Sequence, residues 1–307
     1  MIKTYKNFIL FFLMIIVILL FFLKKYDDIT TKNQLDIVVS NNIELITSEL
    51  SQQKKYALSL AILFAKNPHI VNTLKNNQPK KLKKELDILI QSISNYTKQK
   101  NIQIQVHTKD LKVFVRSWED KDTGLNLKSF RKGLVKVQKT QQPFVSNELG
   151  KRFNIKAIAP IFEKEEYIGS IEIIIDYSSL KKRLKISGIQ ILPIIHEKFL
   201  NIALTYKDNK KLYNYVIIEN QYNENIYNTL RKNKNILSQK KLYYEINDTI
   251  ITFVPLGNIE KETIGYLVAR FKNSNQNFSY IPSYEYKGII NDNNFNKNMK
   301  QRNITIK

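Results

Sequence analysis

Cysteine is absent from the 307 residues, which excludes disulfide staples and thiolate metal sites and leaves packing to hold the fold. Histidine is scarce: His69, His107 and His196 are the full set, with no His-Glu-x-x-His zinc motif and no clustered pair. The eight glycines build neither a phosphate loop nor a nucleophile elbow. With no nucleophile, base or metal set to name, the chain is read as a non-enzyme that uses no cofactor. His107, at a strand end beside a turn, is expected to be a satisfied structural histidine. Acidic residues are few as well: 27 Asp and Glu against 49 Lys and Arg give a net charge of +22. Such an excess is the electrostatic mark of nucleic-acid binders. Here the lysines are dispersed among abundant Asn and Ile and no binding module accompanies them, so no nucleic-acid partner is expected; attraction to anionic lipid or envelope polymers is the by-product.

What is present begins with an unbroken apolar run over residues 8–23, flanked by Tyr5 and Lys6 before and by Lys24, Lys25 and Tyr26 after. As a helix it spans about 24 Å, and lysine snorkelling and interfacial tyrosines extend that reach toward a bilayer core of ~30 Å. A cleavable signal peptide needs small residues just beyond the run, and residues 21–28 offer none. An uncleaved, single-pass signal anchor in the inner membrane is therefore expected. Lysines balance on its two sides, so charge does not set its orientation. The short stub before it and the large soluble part after it place the latter outside the cytoplasm, in the periplasm.

Residues 28–66 contain no proline or glycine, and Leu35, Val38, Val39, Ile43, Ile46 and Leu50 recur at helical spacing. A helix of that length reaches ~60 Å, enough to back two stacked domains. Asn67-Pro68 is expected to end it. A second amphipathic helix fits residues 80–98. Strand signals follow at 102–106, where Ile102, Ile104 and Val106 alternate with Gln103 and Gln105, then at 113–118, 144–149, 155–162 and 169–177, with a short helix marked by Leu127, Phe130, Leu134 and Val137. After a basic helical connector, further strands fit 189–195, 199–206, 242–246, 249–254 and 263–271, with a helix near 223–231. Glu245-Ile246-Asn247-Asp248-Thr249 matches the acidic sequon of bacterial N-glycosylation, but Asn247-Asp248 is read as a plain hairpin turn.

Between Val113 and Asp176 lie Val113-Phe114-Val115-Arg116-Ser117-Trp118, Phe130-Arg131, Glu148-Leu149-Gly150, Ala157-Ile158-Ala159-Pro160-Ile161 and Gly169-Ser170-Ile171-Glu172. In this order, downstream of an anchor and a long helix, they resemble the membrane-distal module of bacterial double Cache domains, the ligand-sensing part of many chemoreceptors and sensor histidine kinases. Residues 264–268 resemble the last strand of the membrane-proximal module. The resemblance implies an α+β fold: an N-terminal transmembrane helix continues into a long helix, followed by two PAS-like modules, each with an antiparallel sheet of about five strands. The expected organisation is a cytoplasmic stub (1–7), anchor (8–23), long helix (24–66), distal module (67–180), proximal module (181–272) and polar tail (273–307).

The resemblance also implies a distal pocket lined by Arg116, Trp118, Arg131 and Glu148, with Glu172 at its floor and Phe114 and Lys156 as further ligand contacts. Phe114, Arg116 and Trp118 would share one strand face. Arginine offers a planar fork for a carboxylate and tryptophan an apolar wall, so a small carboxylate-bearing ligand is expected. The stretch Glu148 to Lys156 departs from the family pattern: it lacks a second glycine and carries lysines where relatives tend to have arginines. The expected function is that of an anchored extracytoplasmic sensor acting in signal transduction or chemotaxis. No output domain is legible, so it would work as a homodimer or as a heterodimer with a separate chemoreceptor or kinase. The alternatives are an envelope scaffold, in which Arg116 pairs structurally with Glu148 or Glu172, and a truncated receptor without output.

Overall fold

The computed structural model describes residues 2–97, 99, 101–238 and 241–273; beyond Asn273, the expected polar tail lies outside the described residues. The chain opens with α1 (Ile2–Ala65), a single helix of 64 residues that no proline or glycine interrupts. The side chains of residues 11–23 are exposed along it. Among the described residues no helix is long and apolar enough to cross a membrane.

Asn67-Pro68 ends α1 as expected but also starts α2 (Pro68–Lys75). The Asn67 side chain accepts the His69 N–H at 2.9 Å, and proline sits at the first helical turn, where its missing N–H costs nothing. The chain continues through α3 (Pro79–Thr97), β1 (Ile102–Thr108), β2 (Val113–Arg116), α4 (Lys132–Thr140), β3 (Phe144–Glu148), β4 (Asn154–Glu163) and β5 (Glu166–Ile175). The five strands form one antiparallel sheet in the order β2-β1-β5-β4-β3. Several boundaries differ from the sequence reading, two of them with a visible cause. β2 ends at Arg116 because the Ser117 hydroxyl, not a backbone carbonyl, takes the Ile104 N–H. The expected helix near Leu127 starts only at Lys132, since the Leu127 N–H is bonded to the Leu111 carbonyl.

After α5 (Ser178–Ile186) come β6 (Gln190–His196), β7 (Lys211–Leu212), β8 (Tyr215–Ile217), α6 (Glu224–Lys232), α7 (Asn235–Ser238), β9 (Tyr243–Ile246), β10 (Thr249–Gly257) and β11 (Thr263–Lys272). They make a second antiparallel sheet of six strands, ordered β7-β8-β6-β11-β10-β9. The expected strand over 199–206 is instead a pair of 3-10 turns, Glu197–Phe199 and Leu204–Tyr206. His196 Nδ1 accepts the Lys198 N–H and turns the chain out of β6. Asn247 and Asp248, both at positive φ, form the two-residue β9–β10 hairpin, a backbone geometry that favours Asn and Asp.

One helix backs both sheets. Ala57, Ala61 and Ala65 are buried at four-residue spacing where α1 crosses β4 and β5, and the facing β4 positions include Ala157 and Ala159. Small residues on both sides bring helix and sheet close. Nearer the N-terminus, α1 meets β10, and Asp36 accepts a hydrogen bond from the Tyr243 hydroxyl at 2.8 Å. The apolar core between α1 and the sheets runs continuously from Leu35 to Phe271. Gly265 is where β11 approaches β6 most closely: a Cβ there would lie 1.9 Å from the Ile194 carbonyl oxygen. Gly265→Ala is expected to destabilise the protein by about 1–3 kcal/mol, read as a lower thermal midpoint; an unchanged midpoint would contradict this packing.

Candidate ligand-binding site

Register divides the first sheet into two chemically distinct faces. Gln105 stands opposite Glu172, and Ile104 opposite Ile173; Lys156 stands opposite Ile174, and Ala157 opposite Ile173. Directly paired residues point the same way and neighbours along a strand alternate. Ile104, Val106, Ile155, Ala157, Ile171 and Ile173 therefore face α1. The other face carries Gln103, Gln105 and His107 from β1, Ser170, Glu172 and Ile174 from β5, Asn154 and Lys156 from β4, and Glu148 from β3. A bulge between Val106 and His107 shifts β2 by one residue. Phe114 and Val115 consequently both join the core under α1, while Val113 packs on the opposite side with Leu127, Leu134 and Val137. Phe114 thus lies across the sheet from Arg116, contrary to strict alternation.

Over the polar face, the chain leading into α4, from Trp118 to Arg131, borders a cavity of about 200 Å³. Arg131, at the N-terminal boundary of α4, is buried between two carboxylates. Its Nε donates to Glu148 Oε1 at 3.4 Å and its Nη2 to Glu172 Oε1. Glu148 Oε1 also accepts the Gly133 N–H at 3.0 Å. Burial opposes the charge on Arg131, but Glu172 and Glu148 outweigh it and raise the guanidinium pKa above its ordinary value. His107 is fully buried and kept neutral: burial, reinforced by Arg131, depresses its pKa well below the usual imidazole range. Gln105 Nε2 lies 2.8 Å from His107 Nε2 and Ser170 Oγ 3.1 Å from Nδ1. Since the amide nitrogen only donates, the ring proton belongs on Nδ1, directed to Ser170. Gln105 Oε1 accepts from Arg116 Nε at 3.1 Å, and Arg116 Nη1 reaches Glu119 and Asp122, each at 2.6 Å. The His107 ring and both guanidiniums thus have protein partners, each arginine through its Nε and one Nη.

Lys156 is different. It is 4% exposed and lines the cavity, yet none of the hydrogen bonds or ion pairs among the described residues involves its ammonium. Gly150 makes room for it, since a Cβ there would sit 2.7 Å from Nζ. Burial, with the Arg131 charge next in weight, lowers its pKa to about 8. Trp118 forms one wall, its ring 5.6 Å from the Arg116 guanidinium carbon, and Leu125, Leu127, Phe130 and Ile174 supply apolar surface. The second sheet's half of the chain contributes Thr205, whose N–H bonds to the Lys151 carbonyl at 3.3 Å. Next to it the Tyr206 hydroxyl accepts the Phe153 N–H at 3.1 Å. The cavity adjoins a wider cleft of about 920 Å³ between the two halves, with which it shares Gln103, Trp118, Arg152, Asn154, Ile174 and Thr205. Among the described residues no group of three or more His, Cys, Asp or Glu could hold a metal ion. The arrangement suits binding of an anion by an unpaired buried cation.

Residues 39–269 match the double Cache family described as the double sensory domain of two-component sensor kinase. The chain belongs to that family. Among solved structures, the sensor domain of the Vibrio cholerae histidine kinase DctB is 11% identical, over 76% of this chain and 95% of that one, with a TM-score of 0.45. The periplasmic domain of Vibrio cholerae LuxQ is 12% identical, over 77% and 99%, at a TM-score of 0.45. The ligand-binding domain of a Campylobacter jejuni chemoreceptor in complex with 4-methylisoleucine is 13% identical, over 79% and 89%, at 0.42. No curated protein matches the chain.

In this double Cache chain, Arg116, Trp118, Arg131 and Lys156 line the cavity together, while Glu148 and Glu172 hold Arg131 from behind. Arg116 pairs with neither of those glutamates; its partners, Glu119 and Asp122, come from the following loop. Sequence reasoning left out Gln103 and Gln105 as site residues, although their alternation with isoleucines was the signal for the polar face. Thr205 carried no signal, because its approach depends on the 3-10 turn at Leu204–Tyr206.

The double Cache module should respond oppositely to loss of two of its buried cations, Arg131 and Lys156. Arg131→Met leaves Glu148 and Glu172 buried without a cation and is expected to cost about 3–5 kcal/mol in denaturant unfolding. Lys156→Met removes an unpaired charge and is expected to raise the thermal midpoint. A lysine pKa lowered from 10.5 to about 8 means the unfolded chain binds more protons between those values. Wild-type stability should therefore gain on Lys156→Met as pH rises from 8 to 10. Midpoints of the two proteins that run parallel over that window would contradict the assignment.

Proposed function

We propose that this protein is a membrane-anchored extracytoplasmic sensor that binds a small carboxylate-bearing molecule in the cavity of its first, membrane-distal module. It passes occupancy to a chemoreceptor or sensor kinase, or to a second copy of itself, along α1. The observation that carries the ligand reading is the buried Lys156 ammonium without a protein partner, in a cavity where Arg116 and Arg131 are already paired with carboxylates. Membership of a sensory family supports the same role. The anchor reading rests on the exposed side chains of residues 11–23, apolar throughout, and on the lysines that follow them. Exposed apolar surface on that scale needs a lipid or protein cover.

The test is thermal unfolding of the full-length protein in detergent against a panel of organic acids, amino acids and amines. A probe at a hundred times its dissociation constant should add about 2.7 kcal/mol of stability. Leu125→Trp, which fills the cavity from an exposed lining position, should abolish the gain while leaving the protein folded. A panel without effect on the wild type would sink the ligand reading. Separately, the native protein should stay with the membrane pellet after alkaline carbonate washing; its release would remove the anchor from the proposal.

A further inference from the structure

The charges around the cavity distinguish among carboxylate ligands. Arg116, Arg131, Lys151, Arg152 and Lys156 line it against one carboxylate, Glu119. Each nearby acid already has a cationic partner, and the two carboxylate oxygens without a hydrogen-bond partner, Oε2 of Glu148 and of Glu172, belong to side chains outside the lining. Glu119 and Asp122 take the Arg116 guanidinium, Asp122 also meets Lys151, and Glu148 and Glu172 share Arg131. Lys151 and Arg152 are exposed at the rim, which leaves Lys156 as the buried cation without a partner among the described residues. A ligand ammonium would find no disengaged carboxylate in the lining and would be repelled by the cations there. A second ligand carboxylate would have no unpaired buried cation to meet.

Resting on the reading of this cavity as a ligand site, we propose that the ligand is a small aliphatic monocarboxylate without an amino group, its carboxylate held by Lys156 and its hydrocarbon part by Leu125, Leu127, Phe130 and Ile174. Lysine is a point charge rather than a fork, so it takes one carboxylate oxygen and leaves orientation to the apolar wall. The volume of about 200 Å³ suits a short chain. Lys156 faces Arg131 and Arg116, the carboxylates Glu172 and Glu148, neutral His107 and the Ser146 hydroxyl opposite it on β3. An arriving anion favours its charged form against that burial. Binding should therefore take up a proton as pH moves above about 8 and weaken with further rise.

The experiment is thermal unfolding of the full-length protein with isobutyrate and isovalerate, set against valine and leucine of matching skeleton, succinate and isobutylamine. Isobutyrate or isovalerate should bind at least tenfold more tightly than its amino acid partner, and its affinity should fall at least tenfold between pH 7.5 and 9.5. The Lys156→Met protein, verified as folded by its own transition, should show no shift with either. Valine, leucine or succinate binding as tightly as the monocarboxylates would overturn the ligand class while leaving the cavity a ligand site. Undiminished monocarboxylate binding in Lys156→Met would overturn the role of Lys156. No shift from any probe in the wild type would overturn both the class and the sensor reading beneath it.

Discussion

The structure depends on a single constraint: the long helix α1 must seal one face of the first sheet completely. Ala57, Ala61 and Ala65 on the helix and Ala157 and Ala159 on β4 are all at most 5% exposed, and their small size lets the two surfaces meet. Because strand residues alternate between faces, sealing one face commits the intervening residues to the other. A one-residue slip of β4 or β5 would drive Lys156 or Glu172 into the alanine and isoleucine layer, where no partner waits. The aliphatic packing therefore does more than stabilise the module. It fixes which side chains are available to a ligand.

On the polar face, the second constraint is charge compensation. Arg131 between Glu148 and Glu172, and Arg116 between Gln105, Glu119 and Asp122, are arrangements in which each buried guanidinium has acceptors close by. Such groups stiffen a site because removing either partner strands the other in a low dielectric. Lys156 stands outside that economy of pairs. Its neighbours oppose its charge through burial and through Arg131, and Gly150 leaves space rather than an acceptor. A site built this way is preorganised for an anion, since the cation is in place and the neighbouring guanidiniums are held by carboxylates.

The two modules are not merely strung along one helix. Lys151, Arg152 and Asn154 line the cavity, and the same loop hydrogen-bonds the other half of the chain through Thr205 and Tyr206. Nearby on β3, Asn147 accepts from the Tyr177 hydroxyl and its amide reaches the Gly257 carbonyl at 3.5 Å. The Gln53 amide on α1 donates to the Asp176 carbonyl at 3.0 Å, at the exit of β5. These contacts join the cavity wall to the second module directly and, through the sheet, to α1. Burial holds the Tyr206 hydroxyl protonated, its pKa pushed up to about 12, so this contact is a neutral hydrogen bond insensitive to ordinary changes of pH.

Much of this was legible in the chain. The uninterrupted helical spacing from Leu35 to Ala65, the isoleucine and glutamine alternation in β1, and the breaks at Asn67-Pro68 and Asn247-Asp248 each follow from local stereochemistry and periodicity. Those are properties of a few neighbouring residues. The order of the charged pieces between Arg116 and Glu172, by contrast, was legible only through the family resemblance. Three features were decided only in three dimensions. The bulge that turns Phe114 into the core comes from the pairing of β2 with β1. The 3-10 turns that bring Thr205 and Tyr206 to the cavity replaced a strand that the apolar pattern of 199–206 favoured equally. The choice of partners, with Arg131 taking both glutamates and Arg116 the loop acids, leaves Lys156 unpaired. Sequence determined which residues are charged and which face of each strand they occupy. Which charges cancel depends on distances across strands and loops, and those exist only once the sheet, the helix and the second module have closed around the cavity.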